Sequence, residues 1–495
     1  MTGIARDDDQ QLIPPRLVTD ASGSRLAPAI LIASFDREGV IDWQALGQPR
    51  LDGAPTARGT IFRIASMSKS FLSAAALALA EEGLLDLDLG IDEYVPGVHF
   101  RLHHTEYRVT VRELLGNRSG MPEDNAWGDR MLVASRDEIG QLASDGFALT
   151  SIPGEKYQYS NLGMSLVGRA LEAVSGAPVE DLVRSRFLDP LGLSHTRYEV
   201  SDYPANTDLA AGFRSFDGGR SWDLEPYVGS GALACIGGLF STIDDVTKWA
   251  IFLASAFHES PLHPEILSAR ARREMQRADT PIPIKLDDPE CQIDALGYGM
   301  GLVAAHDRRF GWVSQHSGGL PGFSSHMRWH PSSGLGVVAF GNSDFFCAET
   351  LAANTLTRLL DARNVSDSLP PWPATVSAGE SLDALLQSGT PLAEAGASIS
   401  TNLLLDVPDE IRRRRFDDLK LTAKVHRSQR PFLERIDSSE DPAHLKWSIC
   451  GEQDSLVCEI RLVGLEPALV QSLTVTLASN ERRAKNGHVR AEETS

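Results

Sequence analysis

The order of strand-like and helix-like stretches limits the folds that are open to this 495-residue chain. Residues 28–34 and 39–44 are apolar or alternating runs around a polar turn, a pattern typical of a β-hairpin. Short strand-like runs return only after Gly297. Strands at both ends with helices between them predict one antiparallel sheet that the two ends of the domain complete together.

Helices are predicted where apolar residues recur with helical spacing and where capping residues mark the ends. They cover residues 66–82, 110–115, 162–174, 177–188, 243–257 and 346–360. Strands are predicted between turns rich in Gly and Pro, over residues 298–303, 312–316, 324–329 and 336–340. The middle of the chain is therefore expected to form a mostly helical lobe beside the sheet.

The chain exceeds the size at which one hydrophobic core usually keeps growing, so two domains are expected. Pro370, Pro371 and Pro373 surround Trp372 and mark a linker. We predict an N-terminal extension, a main domain, a linker, a C-terminal β-rich domain and a disordered tail, over residues 1–25, 26–365, 366–380, 381–480 and 481–495.

The C-terminal domain is expected to be small and all-β after a short helix from Leu382. Its strands are predicted over residues 398–405, 419–425, 431–436, 445–449, 456–463 and 472–477. The predicted fold class is thus α+β: an antiparallel sheet flanked by helices, with a mostly helical lobe, plus the C-terminal all-β domain.

Charge and hydropathy restrict the partners and the compartment. The formal net charge of -20 repels polyanions, so no nucleic-acid partner is expected. Neither an apolar leader segment nor a stretch long enough to span a bilayer is found, so we expect a cytoplasmic protein without a membrane partner. Cys450 and Cys458 could face each other across a hairpin near Asp454, but free thiols are the favoured interpretation in a reducing compartment.

Ser66 and Lys69 form an S-x-x-K pattern at the start of an Ala-rich and Leu-rich helix. Residues three apart share a helix face, so the hydroxyl and the amine can lie within hydrogen-bond distance. A Ser hydroxyl needs a deprotonated base beside it to act as a nucleophile. Lys69 can serve if burial lowers its pKa, and Tyr159 is the second candidate. The sequence leaves open which of the two takes the proton.

Two further patterns, Tyr159-Ser160-Asn161 and His316-Ser317-Gly318, occur once each after the S-x-x-K pattern. Alone, Ser66 and Lys69 would be better interpreted as a capping Ser and a solvated Lys, and His316 as a strand histidine. Acyl transfer also needs donors for an oxyanion, which the Ser66 amide at a helix start and the Gly319 amide on a strand edge can supply.

With these motifs in order, residues 28–360 resemble the serine β-lactamase and penicillin-binding-protein-like superfamily, nearest to its class C, esterase and D-aminopeptidase branch. The likeness extends to flanking segments over residues 60–66, 82–88, 119–122, 153–155, 189–193 and 237–242. The resemblance implies the β-lactamase/transpeptidase-like fold. It also implies an acylated Ser66, its base partner Lys69 and a proton-shuttling Tyr159.

By the same resemblance, Asn161 holds the acyl side of the substrate, and His316-Ser317-Gly318 lines the pocket with Gly319 as second oxyanion donor. His316 occupies a position where β-lactamases and D,D-carboxypeptidases usually have Lys. A His near its ordinary pKa is mostly neutral at pH 7 and suits a substrate carboxylate less well than Lys does.

The sequence therefore predicts a serine hydrolase that cleaves a small-molecule ester or amide, of esterase or D-aminopeptidase type. β-Lactamase or D,D-carboxypeptidase activity is one alternative, and a non-catalytic binding protein that keeps the fold is another. No G-x-S-x-G, H-E-x-x-H or P-loop motif occurs, so no metal and no cofactor is expected. A homo-oligomer is left open.

Overall fold

The computed structural model describes residues 13–14, 17–19, 25–284, 292–366, 370–392, 394, 398–425 and 430–479. The predicted tail, Cys291 and most of the predicted N-terminal extension lie outside these ranges. The chain divides into two compact units, Met1–Val365 and Ser366–Ser495.

The first unit contains fifteen strands and ten α-helices in its described part. The strands are β1 Ala29–Phe35, β2 Val40–Gly47, β3 Phe62–Arg63, β4 Phe100–Leu102, β5 Thr105–Tyr107, β6 Phe147–Ala148, β7 Gly212–Arg214, β8 Asp223–Glu225, β9 Phe240–Ser241, β10 Thr280–Pro281, β11 Ile293–Tyr298, β12 Val303–Asp307, β13 Gly311–Leu320, β14 Phe323–Trp329 and β15 Gly336–Gly341. The helices are α1 Ser68–Glu81, α2 Val111–Leu115, α3 Asn125–Gly128, α4 Arg136–Asp145, α5 Asn161–Ser175, α6 Val179–Val183, α7 Ala234–Gly237, α8 Ile243–Ala254, α9 Ala269–Met275 and α10 Ala348–Ala362. Within the described ranges, none of the helices combines the length and the apolar character that crossing a bilayer requires.

The eight-stranded sheet of this unit joins its two ends. Its strand order is β10-β11-β12-β13-β14-β15-β1-β2, and every neighbouring pair is antiparallel. Ile30 pairs with Gly341 and Phe35 with Gly336, so the first strand completes the sheet beside the last one. All residues of β1 are buried, as expected for a strand covered on both faces. The predicted antiparallel sheet is confirmed.

The run 298–303, which was predicted as one strand, is interrupted: Tyr298 ends β11, Val303 begins β12, and residues 299–302 form the turn between them. Gly299 N–H donates to the Leu302 carbonyl at 2.8 Å and closes this turn. Gly301 has a φ of +69°, and a Cβ there would lie 2.5 Å from the Lys69 carbonyl. The turn therefore packs closely against α1 at Gly301.

Helix α1 passes through the core of the first unit. All its residues from Ser68 to Leu79 are buried, because its Ala-rich surface packs against neighbours on every side. Phe71 stacks on Trp249 of α8 with ring centroids 4.0 Å apart, and the Trp249 indole N–H donates to Ser70 Oγ. A lysine in the first turn of such a helix is removed from water.

The second unit combines a four-stranded sheet with three helices in its described part. The strands, in sheet order, are β16 Ile436–Ser438, β17 His444–Cys450, β18 Ser455–Val463 and β19 Leu469–Leu477. The helices are α11 Pro373–Ser388, α12 Thr401–Asp406 and α13 Asp409–Ala423. The predicted C-terminal sheet is confirmed, and the last three predicted strands correspond to β17, β18 and β19.

Three other predicted strands of this unit are wrong, as is part of the predicted linker. Residues 398–405 and 419–425 fall largely in α12 and α13, and residues 431–436 fall mostly in a 3-10 turn, Phe432–Arg435. Leu403 is buried whereas Leu405 is 75% exposed, which period-two alternation would not give. Pro373 is the first residue of α11, a position that needs no N–H, so the helix starts inside the expected linker.

The hairpin of β17 and β18 sets the positions of two cysteines. Cys450 pairs with Ser455, and Cys458 pairs with Trp447, so the two cysteines do not face each other. Both are free thiols.

Candidate active site

Ser66 lies in a 3-10 turn, Ala65–Met67, that leads into α1. Ser325 Oγ donates to the Ile64 carbonyl at 2.8 Å, and Ser68 Oγ donates to the Ala65 carbonyl at 2.7 Å. Ala65 has a φ of +48°, a left-handed conformation that costs energy for a residue with a Cβ. The surrounding hydrogen bonds hold this strained turn, which leaves Ser66 partly exposed at a cleft.

Lys69 contacts Ser66 from the buried side. Its Nζ donates to Ser66 Oγ at 3.0 Å and to the Ile236 carbonyl at 2.9 Å. Burial lowers the pKa of Lys69 to about 7, although the nearby Asp129 carboxylate opposes this effect. At neutral pH a large fraction of Lys69 is therefore uncharged and able to accept a proton.

Tyr159 reaches the same hydroxyl from the segment that precedes α5. A hydrogen bond joins the Tyr159 and Ser66 hydroxyl groups, and desolvation raises the pKa of the Tyr159 phenol well above its ordinary value. Lys69 Nζ lies 4.8 Å from the centroid of the Tyr159 ring. Because its pKa is raised, the phenol keeps its proton and is a donor at neutral pH.

His316 is a neutral histidine on β13. Its Nδ1 donates to the Ser317 carbonyl at 2.6 Å, so Nε2 is free to accept from the Tyr298 hydroxyl at 3.1 Å. Burial, with a smaller contribution from the Lys69 charge, lowers the pKa of His316 to about 3. The imidazole therefore carries no charge at pH 7.

The end of β13 provides an unpaired strand edge. Pairing with β12 stops at Gln315, while pairing with β14 continues to Leu320. N–H groups alternate between the two neighbours of an antiparallel strand, and Leu320 pairs with Phe323 across a two-residue turn. The Gly319 N–H therefore points to the free edge.

The two glycines of this edge differ in their surroundings. A Cβ on Gly318 would lie 2.2 Å from the Ile64 carbonyl, so only glycine fits there. No atom lies within 4 Å of a Cβ built on Gly319. Gly318 thus allows β13 to approach the Ser66 turn closely, and Gly319 borders open space.

Asn161 is buried at the start of α5 and contacts Asn125, which lines the cleft. Its Nδ2 donates to Asn125 Oδ1 at 2.9 Å, and its backbone N–H donates to Asp124 Oδ1 at 2.6 Å. Neither Asn161 nor Gly318 lines the cleft that contains Ser66.

The remaining predicted residues converge on one cleft of about 920 Å³. Lys69 does not line the cleft but contacts Ser66, which does. The lining of the cleft consists of two strand ends, the segment that precedes α5 and polar loop residues. It comprises Ser66, Glu123, Asn125, Ala126, Asp129, Arg130, Tyr157, Gln158, Tyr159, Arg214, Ile282, Leu296, Tyr298, Val303, Gln315, His316, Ser317, Gly319, Leu320, Pro321, Asp344 and Glu349.

Three residues that support the site were not found from the sequence. Tyr298 fixes His316, and Asp124 accepts hydrogen bonds from the N–H groups of Asn161 and Leu162 at the start of α5. Asp129 lines the cleft, and burial raises its pKa to about 6. These residues lie in segments of no recognised motif, and their partners are distant along the chain.

The family model described as Beta-lactamase matches residues 17–362 of this chain. Penicillin-binding protein 4* of Bacillus subtilis is 26% identical over 289 residues, which are 55% of this chain and 58% of that protein. The match thus spans about three-fifths of the length of this curated relative.

Solved structures share the fold at low sequence identity. The octameric penicillin-binding protein homologue from Pyrococcus abyssi has a TM-score of 0.58 at 20% identity, over 88% of this chain and 93% of that one. The D-amino acid amidase from Ochrobactrum anthropi SV3, complexed with L-phenylalanine amide, has a TM-score of 0.54 at 23% identity, over 68% and 94%. These likenesses confirm the predicted α+β fold.

Proposed function

The chain belongs to the beta-lactamase family, within the serine hydrolase superfamily that includes penicillin-binding proteins, and we propose that it cleaves a small ester or amide through an acyl-enzyme on Ser66. The observation that carries this proposal is the 3.0 Å hydrogen bond between Lys69 Nζ and Ser66 Oγ. Lys69 is fully buried and its pKa is about 7, so the amine beside the hydroxyl can be a base at neutral pH.

Acylation follows from these positions. Ser66 Oγ attacks the substrate carbonyl carbon, and its proton passes to neutral Lys69. The Ser66 and Gly319 N–H groups stabilise the oxyanion, a role in which one donor is typically worth about 10² or more in rate. Tyr159 gives its proton to the leaving group and regains one from Lys69. Lys69 is favoured over Tyr159 as the base, because the raised pKa of Tyr159 keeps the phenol protonated.

Deacylation uses the same groups in reverse. A water molecule attacks the acyl carbon, its proton is taken up by the groups around Ser66 Oγ, and Ser66 leaves as a hydroxyl. Each proton removed from a nucleophile is thereby returned to a leaving group, and the enzyme ends in its starting state.

The charges of the cleft favour esters and amides over β-lactams and peptides with a free carboxylate. His316 is neutral, as its lowered pKa of about 3 requires. The two guanidinium groups of the cleft already have partners, since Arg214 pairs with Asp344 at 3.1 Å and Arg130 pairs with Glu225. A substrate carboxylate would find no free cation among the described side chains that line the cleft.

A fluorophosphonate probe tests the proposal. We expect the probe to label the purified protein with a single covalent adduct in the intact mass, and we expect Ser66→Ala to abolish the label. Ser144→Ala, a change at an exposed serine outside the cleft, serves as control and should label fully. Equal labelling of Ser66→Ala and the natural protein would refute the assignment.

A substrate panel then assigns the class. Uncharged esters, D- and L-aminoacyl amides, a penicillin and a D-alanyl-D-alanine peptide are compared by kcat/KM. We expect turnover of the esters or aminoacyl amides to exceed that of the penicillin and the peptide. Faster hydrolysis of either carboxylate substrate would favour the β-lactamase or D,D-carboxypeptidase alternative.

The oligomeric state and the cytoplasmic location stay predictions. The P. abyssi homologue is octameric, which supports testing this chain for a homo-oligomer. Light scattering coupled to size-exclusion chromatography measures the mass directly, and a mass of 53.8 kDa would exclude the oligomer.

A further inference from the structure

Asp129 is a carboxylate in the cleft that the mechanism above does not use. It is half-buried and lines the same cleft as Ser66. Within the described ranges its carboxyl group accepts no hydrogen bond and makes no ion pair. Burial raises the pKa of Asp129 to about 6, and the Lys69 charge opposes this rise only in part. At neutral pH the cleft therefore contains an ionised group without a direct partner.

The Asp129 charge acts on the reacting groups. Among charged groups it has the largest effect on the pKa of Lys69, and its charge also raises the pKa of Tyr159. A substrate bound to Ser66 therefore shares the cleft with this carboxylate.

The rest of the cleft is suited to a cation. Within the described ranges, Glu123 and Glu349 are the other carboxylates of the cleft that form no ion pair. Both arginines of the cleft form ion pairs. Tyr157 and Tyr298 also line the cleft, with ring centroids 5.8 Å apart, and aromatic faces attract ammonium groups. Glu123 is exposed and accepts from Asn125, whereas Asp129 is the half-buried one.

Building on the proposed acyl-enzyme function, we propose that Asp129 binds a protonated amino group of the substrate, so that the enzyme prefers aminoacyl esters or amides with a free amine. A half-buried carboxylate loses part of its hydration. An ammonium group would replace the lost contacts with water by charge-assisted hydrogen bonds. An N-acylated substrate offers no charge and would leave Asp129 without a partner. Asp129 is thus a substrate-binding residue that determines specificity.

The test compares an alanine p-nitroanilide with its N-acetyl form, in both enantiomers, at pH 7. The ratio of the two kcat/KM values is measured within each enzyme, so a change in the ionisation of Lys69 cancels. We expect Asp129→Asn to lower the preference for the free amine about tenfold or more. The N-acetyl substrate should change less than about threefold, and Asp129→Glu should retain part of the preference.

Asp137→Asn is the matched control, because it removes one negative charge from an exposed position that does not line the cleft. Its ratio should stay within about threefold of the natural protein. An unchanged ratio in Asp129→Asn would overturn the proposal. Equal losses on both substrates would also overturn it, and would instead indicate a role for Asp129 in proton transfer.

A second measurement does not depend on a substituted protein. Alanine amide should inhibit the natural enzyme competitively at about tenfold lower concentration than N-acetylalanine amide, and equal inhibition would count against the proposal. Failure of the proposed function is distinguishable, since it would abolish both the fluorophosphonate label on Ser66 and turnover of every substrate.

Discussion

Replacing Lys69 by Met should make the protein more stable while abolishing its activity. Lys69 has a pKa of about 7 in the folded chain and an ordinary value of 10.5. A difference of about 3.5 between these values corresponds to about 5 kcal/mol of lost folding free energy whenever the pH is below 7. Met has a similar length and carries no charge, so it avoids this cost.

The substitution also removes favourable contacts. The Ile236 carbonyl would lose the hydrogen bond it accepts from Lys69 Nζ, at a cost of about 1–3 kcal/mol. The expected net gain at pH 7 is therefore about 2–4 kcal/mol. Between pH 7 and 10.5 the unfolded chain keeps the lysine proton that the folded chain has lost, so the stability of the natural protein rises with pH in this window. The advantage of Lys69→Met should shrink across this window and be gone at its upper end.

Urea unfolding followed by tryptophan fluorescence, repeated across this pH window, measures the difference. Lys156→Met is the control, because Lys156 is exposed and its replacement should change stability by less than about 0.5 kcal/mol at any pH. A Lys69→Met protein that is less stable than the natural one at pH 7, or a difference that does not vary with pH, would refute the assignment of a neutral buried lysine.

Three further measurements address the proton path and the second unit. For an uncharged ester, kcat/KM should rise as the pH rises through about 7, because only neutral Lys69 accepts the Ser66 proton; a flat profile would contradict this. Tyr159→Phe should lower kcat about 10²-fold for amides and less for nitrophenyl esters, whose leaving group needs no proton; equal losses would exclude the shuttle role. Asp383→Asn should lower the stability of the second unit by about 3 kcal/mol in calorimetry, because Arg435 and Trp447 Nε1 both donate to this buried carboxylate; an unchanged transition would be inconsistent with that pairing.

The elements that local pattern determines were predictable from the sequence. Helix α5 was expected over residues 162–174 and is observed over Asn161–Ser175, because Ser160 caps its start and Gly176 ends it in a left-handed conformation. The sheet followed from the order of elements. The runs around Leu403 and Leu421 were not predictable, because short apolar runs fit a strand and a helix equally well and only burial distinguishes them.

The candidate site also contains contacts that were predictable from the sequence and contacts that were not. Ser66 and Lys69 are three residues apart, so their contact follows from helix geometry alone. The partner of His316 is Tyr298, whose position depends on the turn before β12 and on sheet register. The Asp129 charge acts on Lys69 only because the fold brings two segments 60 residues apart in sequence to the same cleft. Contacts of this kind leave no local signature.

The proposed amine binding has a consequence for catalysis that links Asp129 to Lys69. The Asp129 charge raises the pKa of Lys69 and so favours its inactive, protonated form. An ammonium group bound beside Asp129 would offset this charge and lower the pKa of Lys69, so a substrate with a free amine would help to generate its own base. For such a substrate the pH profile of kcat should have an apparent pKa about one lower than that of an uncharged ester, since kcat reports the enzyme–substrate complex. In Asp129→Asn the two profiles of kcat should coincide; a gap that persists would mean that the substrate amine acts on Lys69 without Asp129.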